Sequence, residues 1–317
     1  MKKIVMGLLI LFCNLLYAKW IDYGFDYEYE VGIMTGGLGG TYIKFGNDSM
    51  KLMDRVHAKL LVRPIISKGS QINIIALKES PGVDLAIVQS DVMKAYKESG
   101  KISKILNELR FITFLYNEEV HIVALKNSNS NFVKDLNNKK VVIGPSGSGT
   151  ELTSRNIFTI LELNVKQINS SYDDAFKKLL NHQVDAIVLV GGKPLSRLKP
   201  YLNKIKFLNF SDSSINLLAS VYPSALLTHS DYSNINSSIK TIAVPSILVA
   251  YNWTPQNNAY RYNGLKRFVE MFFSHLDEFR NIGLSYGNKK WMQINPLKNV
   301  QGWKRHRVVV DYMMNQN

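Results

Sequence analysis

Two stretches of this chain repeat one local plan, and that plan narrows what it can fold into. Val141-Val-Ile-Gly-Pro-Ser-Gly-Ser-Gly-Thr150 is a short β-branched run followed by a loop of small residues, and Leu152, Ile157, Ile160 and Leu161 then recur at helical spacing. Val31-Gly-Ile-Met-Thr-Gly-Gly-Leu-Gly-Gly-Thr-Tyr42 has the same order, with Phe45, Met50, Leu52 and Met53 beyond it. Strand, small-residue loop and helix place unpaired backbone N–H groups, and the positive end of a helix dipole, at the lip of a sheet. Ser146, Ser148 and Thr150 add hydroxyl donors. A single such stretch is also an ordinary strand-to-helix turn with an N-cap. Two of them imply a ligand held between separate parts of the chain.

The rest of the pattern doubles as well. The first half reads as a helix from Thr41 to about Val56, a strand at Lys59–Arg63, a short helix at Asn73–Leu77 and a buried strand at Val83–Val88, with Gln89-Ser-Asp91 capping a further helix. Arg110–Tyr116 and Val120–Leu125 read as two strands. The second half gives a short helix at Phe132–Leu136, the Val141–Ile143 strand, a helix at Leu152–Leu161, another at Tyr172–Asn181 and a buried strand at Asp185–Val190. Gly82-Val-Asp-Leu-Ala-Ile-Val88 and Gln183-Val-Asp-Ala-Ile-Val188 are near copies. The expected fold class is α/β: two lobes of similar plan, not one continuous sheet, with a cleft between them. Pro245 interrupts the strand Thr241–Ala250, which suits an edge or a crossover between lobes. Leu265, Phe268, Val269, Phe272, Phe273 and Leu276 form one face of a helix over 263–279, and the aromatic tail Trp291–Tyr312 is expected to pack.

A length of 317 residues accommodates two domains, and 46% apolar with 20% charged residues is a globular balance. Lys2 and Lys3 precede an apolar run from Ile4 to Leu16, and residues 1–18 read as a secretory signal peptide, with an uncleaved membrane anchor as the competing view. Cys13, the only cysteine, lies inside that segment, so the exported chain has no disulfide or thiolate site. The formal charge of +14 contains those two lysines, and no acid lies before residue 19. Export argues against nucleic acid as the partner of this basic chain.

Enzyme and metal signatures fail on inspection. Gly144–Gly149 has phosphate-loop glycine spacing, but Thr150 stands where that loop needs lysine. The nucleophile elbow fails because Ser148, not glycine, follows Ser146 by two residues. The six histidines show no metal-ligand spacing, so no metal, cofactor or catalytic residue is assigned. What remains is a site of backbone amides and small hydroxyls, suited to a carboxylate. Lys193, after Gly191-Gly192, is the candidate for a full positive charge there.

Several motifs in register resemble the TAXI family of TRAP-transporter solute receptors. They are Thr35–Tyr42, Ser67-Lys-Gly-Ser-Gln-Ile-Asn73, Val83–Asp91, His121-Ile-Val123, Gly144–Thr150, Ser171-Tyr172, Val184-Asp-Ala186 with Gly191-Gly192, and Ala243-Val-Pro-Ser-Ile-Leu248, spanning about residues 31–250. The resemblance implies a two-lobed, type II-like periplasmic binding protein that performs no chemistry. It would close on a small anionic solute, an amino acid such as glutamate or a related organic acid, and deliver it to a TRAP-type membrane permease. Lobe 1 is expected over 19–121, lobe 2 over 122–243, and a returning segment over 244–317. By the same resemblance Gly39, Thr41, Tyr42, Gln89, Ser90, Ser148, Gly149, Thr150 and Gly191 line the cleft. Lys44 and Lys193 depart from the family's usual residues and lean towards a more acidic ligand. Two rival readings stay open: a small-molecule hydrolase using Ser148, and a sensor that captures a partner through the basic tail Lys304–Arg307.

Overall fold

The computed structural model describes residues 27–93 and 107–315. The signal-peptide reading, and most of the helix expected after Asp91, lie outside these residues. Strand β1 (Tyr29–Met34) pairs in parallel with β2 (Leu60–Ile65) on one side and β3 (Leu85–Gln89) on the other, and helices α1 (Thr41–Arg55) and α2 (Ser70–Glu79) make the crossovers. In the second half β5 (Lys140–Val142) occupies the middle, between β6 (Lys166–Ile168) and β7 (Ala186–Gly191), again in parallel. Its crossovers are α3 (Gly149–Ile160) and α4 (Tyr172–Leu180). The chain therefore lays down each half in the same order: middle strand, outer strand, inner strand.

An aspartate pins each half in the same way. Asp84 accepts the Gly32 N–H on Oδ2 at 3.0 Å and donates its own N–H to the Gly32 carbonyl at 2.9 Å. Asp185 does the same with Lys140, accepting at 2.8 Å and donating at 2.8 Å. The repeated Val-Asp pair of the sequence is thus a register lock between the middle and inner strands.

The two halves are joined by two long strands, β4 (Leu109–Leu125) and β10 (Ile239–Tyr251). The first part of β4 pairs with β10 and its last part with β7. On β10, residues 246–250 also pair with β3, and residues 239–242 pair with β9 (Ser224–Leu227), while β8 (Ile205–Phe207) edges β4. The hydrogen-bonded path runs β2-β1-β3-β10-β4-β7-β5-β6. This corrects the expectation of two separate sheets. Asn117-Glu118-Glu119 read as a polar break between two strands, yet the backbone pairs continue through it, Ala243 opposite Glu119 and Pro245 opposite Asn117. The two acids do not stop the strand because their carboxyl groups find partners, Gln89 and Tyr42 for Glu118 and Lys290 for Glu119. Pro245 sits at this crossing, and its carbonyl still accepts the Ser90 N–H at 2.8 Å.

Alternate residues of these buried strands feed apolar layers on opposite faces. In the first lobe Ile33, Leu85 and Ile87 face one layer, and Ala86 and Val88 face the other with Ile74 and Leu77 of α2. In the second lobe Ala186 and Val188 pack with Ile157 and Phe158 of α3, while Ile187 and Leu189 pack with Ala175, Phe176 and Leu179 of α4. Complete burial of each Ile, Leu, Val or Phe side chain among these is worth about 1.5–3 kcal/mol.

After β10 the chain returns to the first lobe. Helix α6 (Pro255–Ser274) follows the short α5 (Asp212–Leu218) in chain order and buries Leu265, Phe268, Val269 and Phe272 with the first-lobe layer. Thr254 and Asn257 form a reciprocal cap at its start. Helices α7 (Leu276–Ser285) and α8 (Arg307–Met314) complete this layer. Trp291 is fully buried, and its Nε1 donates to Asp48 of α1 at 2.8 Å. Within the basic tail Arg305 donates to the carbonyls of Pro296, Leu297 and Lys298, while Lys304 is exposed and Arg307, also exposed, pairs with Asp311.

Candidate functional site

The first turns of α1 and α2 from one lobe, and of α3 and α4 from the other, converge on a cavity of about 100 Å³. Its lining includes Gly40, Thr41 and Tyr42 of α1, Gly69 and Ser70 of α2, Ser148, Gly149 and Thr150 of α3, and Tyr172 of α4. Gly40 and Gly69 are the N-caps of α1 and α2, and neither has a capping side chain. Those first-turn N–H groups are donors that no side chain of their own helix satisfies. Gly69 has φ +116, a conformation that L side chains rarely adopt. Lys68 and Arg197 lie at the same cavity, so its wall combines two cations with convergent helix starts.

Buried polar side chains hold this arrangement. Asn73 Nδ2 donates to the carbonyls of Thr35 and Ile87, each at 2.7 Å, and so ties together the ends of β1 and β3. Ser70 Oγ accepts the Gln89 N–H at 3.0 Å. In the other lobe Thr150 Oγ1 lies 2.7 Å from the Tyr172 hydroxyl and accepts the Val190 N–H at 3.3 Å. Ser148 Oγ accepts the Glu151 N–H as the cap of α3. The Arg197 guanidinium stacks over the Tyr172 ring, 4.3 Å from its centre.

Seven of the residues expected from the sequence meet here: Thr41, Tyr42, Gln89, Ser148, Gly149, Thr150 and Gly191. Three do not line the cavity. Gly39 sits one residue before the cap of α1 with φ +77. Ser90 is turned into the crossing, where its carbonyl accepts Trp303 Nε1. Lys193 corrects the expectation of a cleft charge, because its ammonium is held by Asp231 at 2.8 Å and the Leu226 carbonyl at 2.7 Å. A lysine with a carboxylate and a carbonyl inside its own lobe has no reason to turn towards the cleft. Lys44 is also off the lining, and Lys68 and Arg197 supply the charge that these two lysines were expected to bring.

Sequence reasoning missed Glu118, the one acid on the lining. Its Oε2 accepts Gln89 Nε2 at 2.7 Å and the Tyr42 hydroxyl at 3.2 Å. Burial pushes its carboxyl up to about 8, and the neighbouring Glu119 charge adds to this, against the opposing pull of the Gln89 and Tyr42 hydrogen bonds and the Lys290 charge. Burial likewise raises the Tyr42 and Tyr172 phenols. The available signal was two adjacent acids inside an apolar run, which is unusual for a buried strand. Among the described residues no group of three His, Cys, Asp or Glu side chains is placed to hold a metal.

The lobes are in contact around the cavity. Gln71 Nε2 of α2 donates to the Ser148 carbonyl at 2.9 Å. Gly149 approaches the other lobe so closely that a Cβ there would lie 2.0 Å from Gln89 Oε1.

A family model described as the NMT1-like family matches residues 33–291, which takes in both lobes and every residue named at the cavity. The chain belongs to the NMT1-like family. Among solved structures, this NMT1-like chain is similar to the substrate-binding protein of an amino acid ABC transporter, with a TM-score of 0.50 and 15% identity over 81% of this chain and 99% of that one. It is also similar to a structure described as a periplasmic transporter, with a TM-score of 0.52 and 13% identity over 83% and 88%. At these identities the likeness concerns the fold, which is that of two-lobed periplasmic binding proteins.

Proposed function

We propose that this NMT1-like protein is a periplasmic receptor that captures a small carboxylate-bearing solute, an amino acid such as glutamate or a related organic acid, by closure of its lobes. The observation that carries this reading is the cavity itself: four helix starts, two from each lobe, with Lys68 and Arg197. Donors from both sides stabilise an anion only when the lobes are together, so the anion selects the closed form. Ser148 serves as a helix cap here, which favours binding over nucleophilic chemistry. The volume of about 100 Å³ favours the smaller members of the solute class.

On this reading residues 1–18 direct export and are removed. Lobe 1 spans 19–121, lobe 2 spans 122–243, and 244–317 returns to lobe 1. The crossing of β4 and β10 near Asn117 and Pro245 supports boundaries close to these. The partner is a TRAP-type permease that receives the solute from the closed receptor, and nucleic acid has no part.

Thermal melting of residues 19–317 against amino acids, dicarboxylates, 2-oxoacids and sugars tests this. A solute at about 100 times its Kd adds about 2.7 kcal/mol of stability. The melting temperature is expected to rise with one class of acid, increasingly with concentration. Stabilisation by sugars alone, or by nothing in the panel, would overturn the reading.

A further inference from the structure

Glu118 is a carboxyl in a site otherwise built from donors, and its two oxygens are treated differently. Both of its hydrogen bonds end on Oε2, from Gln89 and Tyr42. The residue is only 3% exposed yet lines the cavity, and neither of these hydrogen bonds uses Oε1, which leaves that oxygen for a group in the place a solute would occupy. We propose that Glu118 enters the solute complex as a neutral acid whose Oε1 hydroxyl donates to the anionic group, so that capture of the anion takes up a proton. The proposal rests on the receptor reading above.

The surroundings of Glu118 favour the neutral form. On its own strand, the Glu119 carboxylate is adjacent and the Tyr116 phenol is uncharged and buried. From the 3₁₀ turn at Lys289–Gln293 the charge of Lys290 acts on Glu118, but its ammonium donates to both oxygens of Glu119 and to the Asn117 carbonyl. Three donors on three acceptors leave none for Glu118. From α1 and α4 come two neutral phenols, Tyr42 and Tyr172. Gln89 on β3 donates to Oε2 as it would to the carbonyl oxygen of an acid. Lys68 and Arg197 also line the cavity, and a bound anion is the natural partner for both. An ionised Glu118 would oppose that same anion inside a low-dielectric site. A neutral Glu118 adds one more donor.

The sign of the effect follows. The carboxyl of the solute-free protein titrates at about 8. A bound anion favours the protonated form, so affinity is constant below that pH and falls about tenfold per pH unit above it. The probe is whichever of pyruvate, succinate, 2-oxoglutarate and L-glutamate raises the melting temperature most at about pH 6.5. Titration calorimetry from about pH 6.5 to pH 9, in two buffers of different ionisation heat, reads both Kd and protons exchanged. The expected result is flat affinity, then the tenfold decline, with uptake approaching one proton. Infrared difference spectra of the complex should retain a protonated-carboxyl band that E118Q lacks, and E118Q should give a pH-flat profile whatever its affinity. Proton release on binding would mean an ionised Glu118 facing a solute ammonium and would overturn the proposal. So would pH-independent affinity in the wild type, or a slope surviving in E118Q. If none of the four acids shifts the melting temperature at any pH, the receptor reading itself fails, which is a distinct outcome.

Discussion

The Tyr222 hydroxyl donates to Asp91 Oδ2 at 2.9 Å, although 131 residues separate the two, and in doing so it joins the lobes behind the cavity. Thr153 Oγ1 of α3 reaches the same oxygen at 2.8 Å, while Asp91 Oδ1 has no partner. Burial pushes the Asp91 carboxyl up to about 6. Helix α3 thus carries Gly149 and Thr150 at the cavity and Thr153 on this interlobe contact. A movement of α3 that separated it from the first lobe would break the hydrogen bond to Asp91, which couples this contact to any opening of the cavity.

Thr153 is not on the cavity lining, and Thr153→Val removes that bond together with the longer one from Thr153 Oγ1 to Gln89 Oε1 at 3.3 Å. An open form would leave Asp91 to water and be little affected, so on the receptor reading the loss falls on the closed form. One hydrogen bond to a charged group is worth about 1.5–3 kcal/mol, which is roughly a 10- to 150-fold weaker Kd. Calorimetry together with small-angle scattering should show weaker binding and a more open solute-free protein.

Gly149→Ala places a Cβ 2.0 Å from Gln89 Oε1 and 2.8 Å from Ser70 Oγ, both on the opposite lobe. Alanine suits the first turn of a helix, so the second lobe itself should fold normally. Closure is what suffers. Overpacking of this kind costs about 1–3 kcal/mol, a roughly 5- to 150-fold loss of affinity with the unfolding midpoint of the solute-free protein nearly unchanged. Wild-type affinity in this variant would show that the lobes do not need this approach.

Lys290 and Glu119 form a buried pair at 2.7 Å, with side chains 9% and 5% exposed. Lys290→Met leaves an uncompensated carboxylate at the strand crossing and should cost about 3–5 kcal/mol in urea unfolding. Adding Glu119→Gln to that variant should restore most of the loss. A double-mutant cycle measures the coupling directly.

His121 is fully buried, and its Nε2 is hydrogen-bonded with the Tyr232 hydroxyl at 2.8 Å. Burial holds the imidazole down at about 3. A base whose folded-state pKa is depressed contributes stability that is complete above its ordinary value of about 6.5 and is lost as the pH falls towards the folded value. The loss approaches about 1.4 kcal/mol per pH unit within that window. His121→Gln offers Tyr232 either an acceptor or a donor and cannot charge. Its urea stability should therefore decline less steeply than that of the wild type between about pH 6.5 and pH 4.

The sequence by itself determined the local plan. Strand, glycine loop and helix could be read twice, along with the buried runs at 83–88 and 185–190, because side-chain periodicity and turn chemistry are properties of short segments. It also placed Tyr42, Gln89 and Thr150 at helix starts and strand ends that meet at the cavity. Only the tertiary structure decided what crosses between segments. Glu118 looked like part of a loop until β4 proved to run unbroken through it, and Lys193 looked free until Asp231 arrived from 38 residues away. The physical reason is the same in both cases. Whether a charged side chain faces a ligand or a partner depends on which distant groups share its burial, and no local pattern records that.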